Sequence, residues 1–305
     1  MSLLSDIIGK TEADLVERKL RVPLSELQRM VKDAPPTRSL QKALSRAGFS
    51  IIGEIKRRSP SAREMNPVNV AHAIQAYNVS PAISAISVLT DEPFFGGSLK
   101  QLMDVRKQTN KPILRKDFIV DAYQVWEARA FGADAILLMG SVHEKRPGLM
   151  KGLHDLAKSL GLETLVEIGM SEAGPEKQVE IVPPDATIWG INSREFHTTR
   201  LKTRVHLSKL FNRDFLTYPE RHYQLRNLIP PGKIAVAESG IKKPGDLKPI
   251  AELNYSAALI GTAFLKSKRA IAEVVSDFAA QIGDLKQGRL NIAQPNYSWP
   301  RSAAR

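Results

Sequence analysis

Lys111-Pro-Ile-Leu-Arg-Lys-Asp-Phe-Ile-Val120 is a short apolar run that ends in charge. Pro112 punctuates its start and Ile113 and Leu114 form its apolar body. Arg115, Lys116 and Asp117 then arrive together, before a helical pattern opens at Asp121. In an α/β barrel, a strand whose C-terminal end carries ionisable groups is where function resides.

Working outward from this strand, further apolar runs read as strands at Phe49–Ile55, Ile83–Leu89, Ala135–Met139, Thr164–Ile168, Thr187–Ile191, Lys233–Ala237 and Ala257–Ile260, with Pro112–Arg115 as the third of eight. Amphipathic helical patterns alternate with them, among them Asn69–Asn78, Ser98–Lys107, Ala122–Phe131, Gly148–Leu160 and Ser267–Gln281. Eight β-then-α units over residues 49–281 fit the about 250 residues of a closed parallel barrel. The fold class expected is therefore α/β, a (β/α)8 TIM barrel with an N-terminal helical extension. A doubly wound open sheet is the competing architecture, but it favours a Gly-x-Gly-x-x-Gly turn after the first strand. Here that turn reads Lys56-Arg-Arg-Ser-Pro-Ser61.

Residues 1–48 read as the helical extension, with helices over Leu3–Leu20, Leu24–Lys32 and Ser39–Arg46. Ser39 suits an N-cap and Gly48 a C-terminal stop. The barrel is expected over 49–283 and a surface or disordered tail over 284–305. The connection from Glu195 to Gly232 is long, with Pro219 and the Pro230-Pro231 pair inside it, and is read as a helix plus an irregular insertion.

The 305 residues, 43% apolar and 25% charged, describe an ordinary globular chain. No apolar run reaches membrane-spanning length. Asp6, Lys10, Glu12 and Asp14 spoil a signal-peptide reading, so a cytoplasmic location is expected. The absence of cysteine excludes a disulfide framework, a thiol nucleophile and a thiolate zinc site. The net charge of +12 is uneven, since residues 192–305 carry 19 Lys and Arg against 9 Asp and Glu. Without an aromatic-interleaved basic motif, that excess points to a small anionic substrate ahead of nucleic acid.

Polar side chains recur at the C-terminal ends of the strands: Glu54 and Lys56 on the first, Lys116 on the third, Glu167 on the fifth, Asn192 and then Arg194 on the sixth, Glu238 on the seventh. Strand alternation turns Glu54 and Lys56 the same way. Singly, each is accounted for as an ion pair closing a barrel end. Together they favour a site. A carboxylate among ammonium groups stays ionised, and a lysine beside other cations is lowered toward a useful range, so proton transfer needs neither histidine nor metal. The histidines show no ligand spacing, and His197, His206 and His222, in the long connection, read as surface residues. Ser239-Gly240 and Gly261-Thr262, after the seventh and eighth strands, are small-residue turns suited to cradling a phosphate. Phe94-Phe95-Gly96-Gly97 reads either as an apolar wall over a flat substrate or as a hydrophobic plug, while Arg57 and Arg58 read as a solvated basic loop.

These runs resemble one family, indole-3-glycerol phosphate synthase. The matching stretches are Glu54-Ile-Lys-Arg-Arg-Ser-Pro-Ser61, Ile86-Ser-Val-Leu-Thr-Asp91, Phe94-Phe-Gly-Gly-Ser98, Pro112-Ile-Leu-Arg-Lys-Asp-Phe118, Gly132-Ala-Asp-Ala-Ile-Leu-Leu138, Leu165-Val-Glu167, Gly190-Ile-Asn-Ser-Arg194 and Glu238-Ser-Gly-Ile241, in the family's order. The resemblance implies a cofactor-independent carbon–carbon lyase of tryptophan biosynthesis. Its substrate would be 1-(o-carboxyphenylamino)-1-deoxyribulose 5-phosphate, closed to an indole with loss of carbon dioxide and water. Carried over by position, Lys116 is the general acid, Glu167 the base for dehydration, and Lys56 a second acid or anchor held by Glu54. Asn192 and Arg194 hold the anthranilate end and its carboxylate, and Phe95, Phe118 and Leu137 form the slot for the aromatic ring. Ser59 and Glu238 are polar members of the site. Ser239, Gly240, Gly261 and Thr262 fall at the phosphate positions, and the helical extension helps cover the substrate.

The chain departs from the family pattern in several places. Ile-Gly-Met follows Glu167 in place of the common Val-His, Ala-Arg follows Ser61 in place of Lys-Gly, and Thr262 replaces a more usual Ser or Glu. The connection 195–232 and the tail are longer than usual, and no fused isomerase domain is expected. Two other readings remain open: a related phosphate-binding barrel acting on a similar aromatic sugar phosphate, and a basic RNA- or protein-binding paralogue. The oligomeric state, monomer or homodimer, is left undecided.

Overall fold

The computed structural model describes residues 2–46, 48–60, 62–171, 173–194 and 217–288. Ser61, His197, Arg200, Lys202, Arg204, His206 and the tail beyond 288 lie outside the described residues. Strands β1 (Ser50–Ile55), β2 (Ile83–Leu89), β3 (Ile113–Lys116), β4 (Ala135–Met139), β5 (Glu163–Gly169), β6 (Ile188–Asn192), β7 (Ile234–Glu238) and β8 (Ala257–Ile260) close into one barrel in chain order. Every pairing is parallel, and β1 completes the ring by bonding both β2 and β8. The fold expected from the sequence is the fold observed.

Fourteen α-helices are described: α1 (Leu3–Arg21), α2 (Leu24–Lys32), α3 (Leu40–Leu44), α4 (Pro67–Val79), α5 (Glu92–Phe95), α6 (Leu99–Gln108), α7 (Ala122–Ala130), α8 (Gly140–His143), α9 (Pro147–Ser159), α10 (Pro175–Ile181), α11 (Arg221–Gln224), α12 (Leu247–Glu252), α13 (Thr262–Leu265) and α14 (Ile271–Gly288). Many start where the sequence supplies a cap: Ser39, Asn66, Asp91, Ser98 and Asp121 each accept a backbone N–H from the first turn that follows. The last helix runs past residue 283, because its apolar pattern continues beyond Ile282.

Strand alternation divides the core in two. Ile51, Ile86, Ile136, Val166, Trp189 and Ala258 face the helices, while Ile52, Ala85, Leu114, Leu137, Leu165 and Val236 fill the barrel. Helix α3 belongs to the inner cluster at its lower end: its Leu40 and Leu44 pack with the barrel-filling residues. Polar contacts fix that plug to the N-terminal ends of β4 and β5. Arg38 N donates to Asp134 Oδ1 at 2.7 Å, and Ser39 Oγ to Glu163 Oε1 at 2.6 Å. Helix α1 instead lies against α7, where Arg18 Nε donates to Glu127 Oε1 at 2.9 Å and the Tyr123 hydroxyl donates to Val22 O at 2.7 Å.

Two expectations are corrected. The turn after β1 is not a plain solvated loop: Arg58–Ser59 and Arg63–Glu64 form an antiparallel hairpin, and Arg58 donates to the carbonyls of Glu92 and Pro93, each at 3.0 Å. His222 is not a surface residue. It is buried, because the connection folds back on β6 before β7 begins, and its ring meets Tyr255 edge-on at 6.0 Å. No helix among the described residues is long and apolar enough to cross a membrane.

Candidate active site

At the C-terminal end of the barrel the inward-facing positions stop being apolar. Ile52 gives way to Glu54 and Lys56, Leu114 to Lys116, Leu165 to Glu167, and Val236 to Glu238. A cavity of about 340 Å³ opens there. Of the residues singled out from the sequence, Glu54, Lys56, Phe95, Lys116, Phe118, Leu137, Asn192, Arg194, Glu238, Ser239, Gly240, Gly261 and Thr262 line it. Glu167 is not on the wall itself but reaches the site through Lys116. Ser59 stands apart, buried in the hairpin, where its Oγ accepts from Ala62 N at 3.1 Å.

Two lysines are held differently. Lys116 Nζ sits 3.0 Å from Glu167 Oε2 and 3.2 Å from Glu238 Oε2. Burial pulls its pKa down, but the charges of Glu167, Glu238 and Glu54 outweigh that and hold it above the ordinary lysine value. This reverses the expectation of a lowered value for this lysine, because its nearest neighbours are carboxylates contributed by other strands. Lys56 does follow the expectation. Burial lowers it first and Arg194 and Lys116 add to the effect, against the pull of Glu54, to which it donates a hydrogen bond. Glu54 is pushed up by burial but brought below its ordinary value by Lys56, Lys116 and Arg194. Glu238 is raised, by burial first and then by Glu167 beside it, which together exceed the opposing pull of Lys116. Within the cluster it is the Glu238 carboxyl, buried beside Glu167, that is held toward its neutral form.

Phe95 and Phe118 face each other across the opening with ring centroids 6.2 Å apart. Phe95 is buried on α5, whose first-turn N–H groups at Phe94 and Phe95 are capped by Asp91. The Phe94–Gly97 stretch is therefore a capped helical turn that presents a wall, rather than an unstructured plug. Arg194 N donates to Asn192 Oδ1 at 2.9 Å, which locks the carboxamide, and Arg194 Nε has no partner among the described residues. The Ser239-Gly240 turn lies beyond β7 and Gly261-Thr262 beyond β8. A side chain at 261 would put its Cβ 2.2 Å from Glu54 Oε1, so only glycine admits the carboxylate there.

The sequence reading missed two polar contributors. Lys242 follows the Glu238–Ile241 motif directly, and its basic character next to a small-residue turn is a readable signal. Thr217 is not readable: it reaches the cavity only because the returning connection forms a β-bridge with Arg194. Asp117 also borders the cavity, but it is engaged by fully buried Arg115 at 2.8 Å. Among the described residues no group of three or more His, Asp or Glu is placed to hold a metal ion.

Fold and site together define a (β/α)8-barrel enzyme with buried lysines and glutamates gathered at the strand C-termini. The sequence places it more narrowly. Residues 4–276 match the family model for indole-3-glycerol phosphate synthase. The indole-3-glycerol phosphate synthase of a Nocardioides species is 38% identical over 267 residues, covering 87% of this chain and 94% of that protein. That of Thermoanaerobacter pseudethanolicus is 36% identical over 284 residues, covering 92% and 98%. The chain belongs to the indole-3-glycerol phosphate synthase family, carboxy-lyases of tryptophan biosynthesis. Among solved structures, N-(5'-phosphoribosyl)anthranilate isomerase from Pyrococcus furiosus shares the barrel at a TM-score of 0.51 and 10% identity, covering 77% of this chain and 99% of that one. Likeness at that level concerns the fold alone.

Proposed function

We propose that the cavity binds 1-(o-carboxyphenylamino)-1-deoxyribulose 5-phosphate and converts it to indole-3-glycerol phosphate, with the phosphate at Ser239, Gly240, Gly261 and Thr262. The single observation that carries the assignment of roles is Lys116 held between Glu167 and Glu238 beneath an aromatic wall. Phe95, Phe118 and Leu137 take the anthranilate ring, and Arg194, with Asn192 bracing its backbone, takes the carboxylate.

In the first step the ring carbon that bears the carboxylate attacks the ribulose ketone, and Lys116 gives its proton to the carbonyl oxygen as the new carbon–carbon bond forms. Carbon dioxide then leaves, and its bonding pair restores the aromatic ring. Dehydration completes the indole: Glu167 takes the proton from the adjacent carbon while Lys56, protonated and aimed by Glu54, supplies the proton with which the hydroxyl leaves as water. Two protons are given and one is taken, matching the one proton that decarboxylation of a carboxylate consumes. The 3.0 Å contact between Lys116 and Glu167 lets the proton taken by the base return to the acid. Ser59 supports the hairpin beside the site. The enzyme works in the cytoplasm on this small anionic substrate and needs no cofactor.

Mixing the purified protein with this substrate produces indole absorbance and fluorescence between about pH 6 and about pH 9, where these acid–base groups operate. Absence of turnover across that range would remove the activity from this chain.

A further inference from the structure

The long connection returns to the barrel at Thr217, and the segment that follows is packed against the turn assigned to the phosphate. Tyr218 N donates to Ser193 O at 2.9 Å, and Ser193 N donates to Glu238 O at 3.0 Å, so the returning chain, the end of β6 and the end of β7 form one continuous ladder. Pro219 lies against Gly240: a Cβ there would meet Ser193 Oγ at 2.8 Å and Pro219 Cγ at 3.4 Å. Ser239 adopts φ 68° and Gly240 φ 78°. Glycine reaches that left-handed region freely, but serine does so only at a cost, so something outside the turn has to hold Ser239 there.

His222 is the group in place to do so. Its Nε2 lies 3.2 Å from Ser239 O. A carbonyl can only accept, which assigns the imidazole proton to Nε2. The ring is itself fixed: it stacks edge-on to Tyr255 at 6.0 Å, and the Tyr255 hydroxyl donates to His222 O at 2.8 Å. Arg226 lies over the far side of this arrangement, 5.4 Å from the Tyr255 ring centroid.

The carbonyl of Ser239 and the N–H of Gly240 belong to one planar trans peptide, so they point in opposite directions. Drawing the oxygen back onto a buried imidazole turns the Gly240 N–H away from His222. Because Gly240 lines the cavity, an N–H so directed is available to an anion there. A donor on the oxygen also polarises the same amide and strengthens that N–H as a donor.

We propose, on the footing of the phosphate assignment above, that His222 is a positioning residue for substrate binding: it sets the Ser239–Gly240 peptide so that the Gly240 N–H binds the substrate phosphate. The returning end of the connection is then part of the substrate site without touching the reacting atoms.

The test compares wild type, His222→Phe, which keeps the ring packing and removes the donor, and His222→Gln, whose carboxamide nitrogen replaces Nε2. Steady-state kinetics with inorganic phosphate as competitive inhibitor are measured on each, together with thermal melting. Loss of the one hydrogen bond raises KM and the phosphate inhibition constant together by about fivefold in His222→Phe, with kcat unchanged, and His222→Gln recovers most of the loss. If His222→Phe does not fold, His222→Asn, too short to reach the carbonyl, takes its place. Unchanged phosphate inhibition in the Phe or Asn variant, or a fall in kcat at constant KM, overturns the role of His222 alone. Failure of phosphate to compete in the wild type overturns the phosphate assignment and the His222 role with it.

Discussion

Lys116 shows how much a single residue's surroundings decide. Its side chain lies inside the barrel and that of Arg115 outside, as strand alternation requires, and the two have opposite uses. Arg115 is consumed by Asp117, Thr90, Glu127 and the carbonyl of Gln124. Lys116 faces a cavity with a proton to give. Replacing Lys116 by Ala lowers kcat by about a thousandfold, the loss expected for a positioned general acid, while the protein still folds. Glu167→Gln divides the reaction: carbon dioxide is released, but indole absorbance lags far behind because dehydration has lost its base. Equal formation of both products by that variant would give the base role to another group. The inward placement of Lys116, against the outward placement of Arg115, was legible, because alternation is a local property of a strand. The raised pKa was not, since it comes from Glu167 and Glu238, distant in sequence and adjacent only once the barrel closes. His222 was misread for the same reason: a histidine in a polar, proline-rich connection gives no local sign of being buried.

At the scale of elements, the strands and long helices were legible because each runs long enough to show an apolar pattern, several with a cap at the start, whereas α5 was not. Four residues cannot display a helical period. Its signals are instead Asp91 as N-cap, Pro93 in the first turn and Gly96, at φ 67°, as C-cap. That small helix carries Phe95 into the site, and its cap is an uncomfortable one. Burial first, and then the charge of Asp117, push the Asp91 carboxyl up to about 6, against two backbone N–H bonds that favour its charge. A carboxyl whose pKa is higher folded than unfolded binds its proton more tightly in the folded protein. The folded state therefore loses stability as the pH rises from about 4 to about 6. Asp91→Asn keeps an oxygen for Phe94 and Phe95 and removes that ionisation. Its melting temperature should match the wild type near pH 4 and exceed it near pH 7, by a stability gain on the order of 2 kcal/mol. Parallel melting curves for the two proteins across that interval would show that Asp91 does not titrate against stability.

For the molecule as a whole, the N-terminal segment is divided between the two ends of the barrel. A helical extension was legible, as was its resemblance to one that helps cover substrate; no residue of α1, α2 or α3 lines the active cavity, but α1 borders a neighbouring one with Arg58, Asp91, Pro93 and Asp117, the last of which the two cavities share. Helix α1 is tied to α7, and α3 plugs the opposite end of the barrel, where Leu40 and Leu44 complete the inner apolar column. Sequence periodicity says that these leucines share a helix face. It does not say which end of a barrel that face will close, because the decision rests on Asp134 and Glu163, which fasten α3 to β4 and β5. A barrel separates its duties by end, stability at the N-terminal face and chemistry at the C-terminal face. Leu40→Ala should therefore cost about 3 kcal/mol in urea unfolding, the usual loss for truncating a fully buried leucine. With the variant held folded in the absence of denaturant, kcat and KM should stay at wild-type values, since the cavity lies at the other end of the column. A large loss of kcat without loss of stability would mean that the bottom plug reaches the chemistry, and that the two ends of this barrel are not independent.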